Sequence, residues 1–220
     1  MKRWRRYENL LQEGDWHVHS NYVDGNHSID EICREAQKRG LKLINICEHV
    51  RRELDYDYSS LLNEIITSRT AYSLVILAGA EAKVLDTFGS LDVPDDLARS
   101  CDVLTGVFHS FAPATKQDYL LALHAMLKDP LVDIWGHPMR WLADKGFELN
   151  DIDVVDVIDL CIQYDVLIEY NLKYKVPSDK FLRIAYAKGA KIVVGSDAHG
   201  IDAIADEVNL DRRWSGQNSP

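Results

Sequence analysis

"GDWHVHSNYVDGNHS", residues 14–28, places His17 and His19 one residue apart in an extended run and Asp24 just beyond it. Successive side chains of a strand point to opposite faces, so His17 and His19 share a face and Val18 takes the other. Two imidazoles on one face, with a carboxylate past the strand end, make half of a metal site. Taken alone, the pair fits a solvated edge strand equally well, because a single His-x-His is a weak signal. The rest of the chain decides.

Six further short apolar runs follow the first, "DWHVH" (15–19): "LKLINICEH" (41–49), "SLVILAGAEAKV" (73–84), "CDVLTGVFH" (101–109), "LVDIWGHP" (131–138), "DVLIEYN" (165–171) and "AKIVVGSDAH" (190–199). Several are nearly continuous in hydrophobicity, as strands buried on both faces are. Helical spacing lies between them. Residues 28–39 open with Ser28 and Glu31 as a capping box and stop at Gly40. Residues 115–128, 151–164 and 178–188 are the other helix candidates. Strands alternating with helices predict a parallel α/β fold, as a barrel or as an open sheet.

The strand ends choose between the two. Polar residues cluster there: His17 and His19, Glu48-His49, Glu81, His109, His137, and Asp197 with His199. In a (β/α) barrel the C-terminal strand ends converge on one mouth, whereas an open sheet spreads them along a line. The expectation is therefore a closed or nearly closed (β/α) barrel. Of eight histidines, only His27 and His124 fall elsewhere. With Asp24, Glu81 and Asp197 added, six imidazoles and three carboxylates aim at one mouth. Buried together, the carboxylates repel and each costs several kcal/mol, a penalty that divalent cations remove. Histidine and carboxylate without thiolate suits Zn, Mn or Fe, and nine ligands suit three ions.

Composition bounds the rest. The chain has 220 residues, 46% hydrophobic and 27% charged, with a net charge of −10. That predicts one globular domain, here 15–205, with residues 1–14 as a basic N-terminal arm and 206–220 as a C-terminal tail. The simplest form for the arm is a short amphipathic helix. No apolar run approaches the ~18 residues of a membrane span. No apolar segment follows Lys2, Arg3, Arg5 and Arg6, so no signal peptide is expected. Cys33, Cys47, Cys101 and Cys161 are scattered among apolar neighbours and form no C-x-x-C pair. They are expected as reduced, buried thiols in a cytoplasmic protein. Acidity disfavours a main task of gripping long nucleic acid, which needs a basic stripe.

In this order, "DWHVHSNYVDG", "CEH", "GAEAKV", "VFHS", "GHP" and "GSDAH" resemble the PHP (polymerase and histidinol phosphatase) family, from about Asp15 to about His199. "GAEAKV", "GSLDVPDDLARSCDVLTGVFHS" and "LIEYN" look most similar to the PHP domain attached to bacterial family-X DNA polymerases. The resemblance implies a distorted seven-stranded (β/α)7 TIM-like barrel with a trinuclear centre. His17, His19, Glu81 and Asp197 would hold one metal, and Glu81 would bridge to a second held by His109 and His137. Asp24, His49 and His199 would hold the third. Two departures stand out: Cys47-Glu48-His49 replaces the usual Thr-Asp-His, and Val23 replaces the usual Ser before the ligand Asp. Neither loses a ligand.

Clustered cations polarise a phosphoryl oxygen and lower the pKa of water towards ~7, so no serine or cysteine nucleophile is required. Asp197, His199 and Glu81 are the catalytic candidates. Arg140, Arg51 and Lys173 are the candidates for gripping phosphate, with Arg52 and Lys175 behind them. Tyr22 and Trp141 are aromatic candidates for stacking on substrate, or for rim and core. The leading expectation is a metal-dependent phosphomonoesterase on a small phosphorylated metabolite. A 3′-end DNA nuclease or end-processing phosphodiesterase is the enzymatic alternative, and an inactive metal-stabilised scaffold the non-enzymatic one.

Overall fold

The computed structural model describes residues 1–112 and 115–206. Seven strands form one parallel sheet in sequence order: β1 (Gly14–Val18), β2 (Leu43–Val50), β3 (Val75–Lys83), β4 (Val103–Val107), β5 (Ile134–Trp135), β6 (Leu167–Asn171) and β7 (Ile192–Gly195). The first and last strands meet. Asp197 N–H donates to His17 O at 2.8 Å, His19 N–H to Ala198 O at 2.9 Å, and Val18 bridges Ala198 in parallel. The sheet is a nearly closed barrel, as the strand ends predict.

Seven helices surround it: α1 (Ile29–Lys38), α2 (Tyr58–Ala71), α3 (Asp95–Ser100), α4 (Lys116–Lys128), α5 (Arg140–Asp144), α6 (Asp151–Gln163) and α7 (Asp179–Lys188). Ser28 and Glu31 form the expected capping box, and α1 turns Ile29, Ile32, Cys33 and Ala36 inward at helical spacing. Asn150 with Asp153 caps α6, and Ser178 caps α7, which stops at Gly189 in the left-handed region (φ 85°). The outward strand faces pack on these helices in two clusters. Ile44, Ile46 and Ile76 meet α1 and α2, while Leu104, Trp135, Ile168 and Val194 meet the later helices.

Two strands stop furthest short of the C-terminal ends of their apolar runs. The fifth run ends early because His137 (φ 25°) and Met139 (φ 68°) leave the extended region around Pro138. The seventh ends at Gly195 because Asp197 adopts φ 53°. Non-glycine residues pay for such conformations and persist in them only where the surroundings hold them.

The first fourteen residues are not a projecting arm. Residues 3–10 form a 3-10 helix across the N-terminal ends of the strands. Trp4 is fully buried against Leu43, Leu77, Val103, Ile134, Leu167 and Val193, one residue from each of six strands. Arg3 pairs with buried Asp133 at 2.8 Å and Arg5 with Asp165 at 2.6 Å, while Lys2 donates to the carbonyls of Asp129 and Val132. The amphipathic helix of the sequence reading is present, but three of its four cations are spent at the closed end of the barrel. The expected tail beyond Asp206 lies outside the described residues.

Candidate metal centre

Strict alternation along β1 would turn Trp16 and Val18 outward together. Instead Asp15 pairs with Ile44 and Val18 with Ile46, so three steps on β1 match two on β2. This bulge lets Trp16 join the inner cluster with Leu43 and Leu77 while His17 still faces the cavity. It also frees Asp15, fully buried, to accept from Ser196 N–H and Ala205 N–H, both at 2.9 Å. Asp15 thereby ties the first strand to the segment that carries Asp197 and His199.

Asp24 arrives on a loop held from beneath. Gly25 N–H donates to Ser20 O at 2.9 Å, and Ser20 N–H donates to Glu48 Oε1 at 2.7 Å. Glu48, the longer carboxylate at this position, thus anchors the loop from the strand that presents His49. Burial pushes Glu48 up to about 7, with the Ser20 hydrogen bonds pulling the other way.

All nine expected ligands converge. Glu81 is the hub: its Oε1 lies 3.0 Å from His137 Nε2, 3.3 Å from His109 Nε2 and 3.4 Å from His17 Nε2. Its Oε2 touches His49 Nδ1 and lies 4.0 Å from His19 Nε2. On one side His19 Nε2 stands 3.5 Å from Asp197 Oδ1. On the other, His49 Nε2 and His199 Nε2 each lie 3.3 Å from Asp24 Oδ2. Three groups have donor atoms close enough to share an ion: His17, His19 and Asp197; His49, Glu81 and His109; and His19, Asp24, His49 and His199. The groups differ from the partition implied by the family resemblance: His19 and His49 are each shared between two groups, Glu81 is absent from the group of His17, and His137 falls in none.

The electrostatics fit cations. Burial by itself would push Glu81 up, but His17, His109 and His137 hold it well below the usual carboxylate range. Burial pushes His19 down to about 4, leaving it a neutral lone-pair donor. His17 Nε2 and both ring nitrogens of His19 are buried without a hydrogen bond. Buried polar atoms are seldom left so, and three such nitrogens turned to one cavity fit a bound metal. Cys47 lies below the cluster, and burial pushes its thiol up to about 12, so it offers no thiolate. All four cysteines are free and buried, as expected.

The expected substrate contacts divide. Lys173 reaches the cluster, with Nζ 2.9 Å from Asp197 Oδ1 and 3.4 Å from His199 Nδ1. Arg140 sits 4.3 Å over the ring of Tyr174, which itself meets His137 edge-on at 5.8 Å, and pairs with Asp144 at 2.7 Å. Its backbone N–H donates to His137 O at 3.1 Å, while its guanidinium belongs to the wall. Arg51 is exposed and makes no contact with the cluster among the described residues. Trp141 is core, stacked on Tyr119 at 5.4 Å, and Tyr22 is a partly buried rim residue against Tyr56. The sequence reading assigned no role to Glu169 or Asn171. Both lie in "LIEYN" at alternate positions, so strand periodicity puts them on one face of β6. Asn171 Nδ2 donates to Asp197 Oδ2 at 3.3 Å.

Barrel and cluster together make a site whose donors suit divalent cations. The chain belongs to the PHP domain family, which matches residues 15–173. A "probable phosphatase" of Caldicellulosiruptor bescii is 30% identical over 204 residues, covering 86% of this chain and 81% of that protein. A "probable phosphatase" of Aliivibrio fischeri is 30% identical over 204 residues, covering 87% and 79%. Among solved structures, the histidinol phosphate phosphatase of Lactococcus lactis, complexed with zinc, L-histidinol and phosphate, has the same fold. It superposes with a TM-score of 0.63 at 16% identity, covering 87% of this chain and 88% of that one.

Proposed function

We propose that this chain is a phosphomonoesterase acting on a small phosphorylated metabolite in the cytoplasm, with three divalent transition-metal ions, zinc, manganese or iron, as cofactors. The observation that carries the reading is the convergence of five imidazoles on Glu81, with Asp24, Asp197 and His199 beside them and buried imidazole nitrogens left without hydrogen bonds. His17, His19, Asp197, Glu81, His109, His137, Asp24, His49 and His199 would hold the ions. When bound, such ions polarise a phosphoryl oxygen and lower the pKa of water towards ~7.

The chain's own residues supply orientation and charge. Lys173, on the hairpin closed by Asn171 and Val176, projects a half-exposed ammonium beside Asp197 and grips the phosphoryl periphery. Asp197 Oδ1 and His199 Nδ1, 3.6 Å apart, stand where a proton leaving the attacking water can be received. Burial of Glu81, His17, His19 and His137 excludes bulk water from the cluster's inner side. Tyr174 under Arg140 walls the side next to His137.

The polymerase-like motifs favour a second reading, a 3′-end nuclease. Against it stand the net charge of −10 and the engagement of Lys2, Arg3 and Arg5 at the closed end of the barrel. The deciding experiment compares kcat/KM of one manganese-loaded preparation on a panel of phosphomonoesters and on the 3′-terminal diester of single-stranded DNA. A higher value for a small monoester is expected. Efficient digestion of oligonucleotides beside negligible monoester hydrolysis would transfer the assignment to the nuclease, and inertness towards both would leave the scaffold. Deleting the first eight residues is not a clean control, because it removes the buried Trp4.

A further inference from the structure

We infer that Glu169, which is no member of the ligand set, is a positioning residue that orients His17 and His137 at once. The inference rests on the metal-centre reading above. Glu169 lies on β6 inside the barrel and is fully buried. Its Oε1 accepts from His17 Nδ1 at 2.8 Å, and its Oε2 accepts the backbone N–H of His137. The first bond fixes the tautomer of His17: with the proton on Nδ1, the Nε2 lone pair faces the cavity. The second holds the backbone of His137 at a left-handed φ of 25°, a conformation that needs outside support. His17 and His137 approach Glu81 Oε1 from different strands, so one buried carboxylate sets two directions of approach.

The space for its head group is made by a glycine. A Cβ on Gly195 would collide with Glu169 Oε1, so β7 passes close only because no side chain stands there. Both Glu169 oxygens act as acceptors, which makes the chemistry specific. A carboxamide keeps one acceptor and turns an NH2 towards the other donor, so Glu169→Gln must lose either the His17 or the His137 bond. Glu169→Asp keeps the charge but is one methylene too short to reach both.

The test measures metal directly. Wild type, E169Q and E169D are stripped with chelator, their apo melting temperatures recorded, and Zn²⁺ affinity and stoichiometry determined by titration. The visible spectrum of the Co²⁺-loaded proteins reports ligand geometry independently of turnover. Both variants are expected to bind Zn²⁺ about 10–100-fold more weakly, as loss of an outer partner of a ligand does, with an altered Co²⁺ spectrum. Wild-type affinity, stoichiometry and Co²⁺ spectrum in either variant would overturn the inference. So would a lowered apo melting temperature with unchanged metal binding, the mark of a purely structural residue. A wild type that takes up no metal would instead overturn the metal-centre reading, and this inference with it.

Discussion

Glu81 faces five imidazoles from four strand ends, and its removal leaves them with no common partner. Glu81→Ala and Asp197→Ala are therefore expected to lower kcat/KM by more than the ~100-fold that loss of an outer partner costs. His124→Ala should leave kcat/KM nearly unchanged. His124 lies on α4, 3.1 Å from Asp156, remote from the cluster in role. Equal loss in the three variants would break the link between strand-end position and ligation. At this scale the candidate ligands were legible because most sit at or just past the end of an apolar run. Glu169 was not, because a lone acid inside a strand has no spacing partner to mark it. The bulge was hidden for a related reason: His-x-His looks the same with or without an extra residue before it.

At the scale of elements, α6 is stitched to both neighbours. Lys116 of α4 bonds Asp153 at 2.9 Å, and Lys180 and Lys188 of α7 pair with Asp151 and Asp159. The Lys116 hydrogen bond, against a small opposing effect of burial, lowers the Asp153 pKa below its ordinary value. A depressed folded-state pKa contributes stability above the unfolded value and loses it as pH falls through the folded one. Lys116→Met should therefore destabilise by no more than about 1 kcal/mol at pH 7, given the exposure of the pair. The difference should vanish below the folded pKa of Asp153 and shrink in high salt. Denaturant unfolding of both proteins at several pH values reads it; a penalty that grew on acidification would contradict the assignment. Helices α1, α4, α6 and α7 were legible from caps and periodicity. Three helices, α2, α3 and α5, were not named as candidates. The last two have six and five residues, too short for periodicity to register.

For the whole molecule, the metal-centre reading couples ion binding to folding. Three carboxylates and six imidazoles gathered in one mouth are a liability without cations, and anything that binds only the native state stabilises it. Each ion held at 100 times its Kd adds about 2.7 kcal/mol. Chelation should thus lower the melting temperature, and elemental analysis should find more than one transition metal per chain. An unchanged melting temperature after stripping a metal-replete sample would refute the coupling. The barrel itself was legible at this scale, since only a closed arrangement brings six polar strand ends together. The closed end was not. "MKRWRRYENL" reads as a basic face, and nothing local shows that Trp4 will be drawn beneath all the strands.

The seam between β1 and β7 has a consequence in time. Within this domain His17 and His19 are synthesised well before Asp197 and His199. The partners that hold this seam, Val18 with Ala198 and Asp15 with Ala205, are separated by almost the entire chain. Contacts of such separation form late and slowly. A nascent chain that has reached Gly189 already carries seven of the nine ligands, but it has neither the seventh strand nor the acid that completes the first group. Metal uptake would then report that the seventh strand has joined the barrel. A chain truncated at Gly189 should gain no thermal protection from Zn²⁺, while the full chain does.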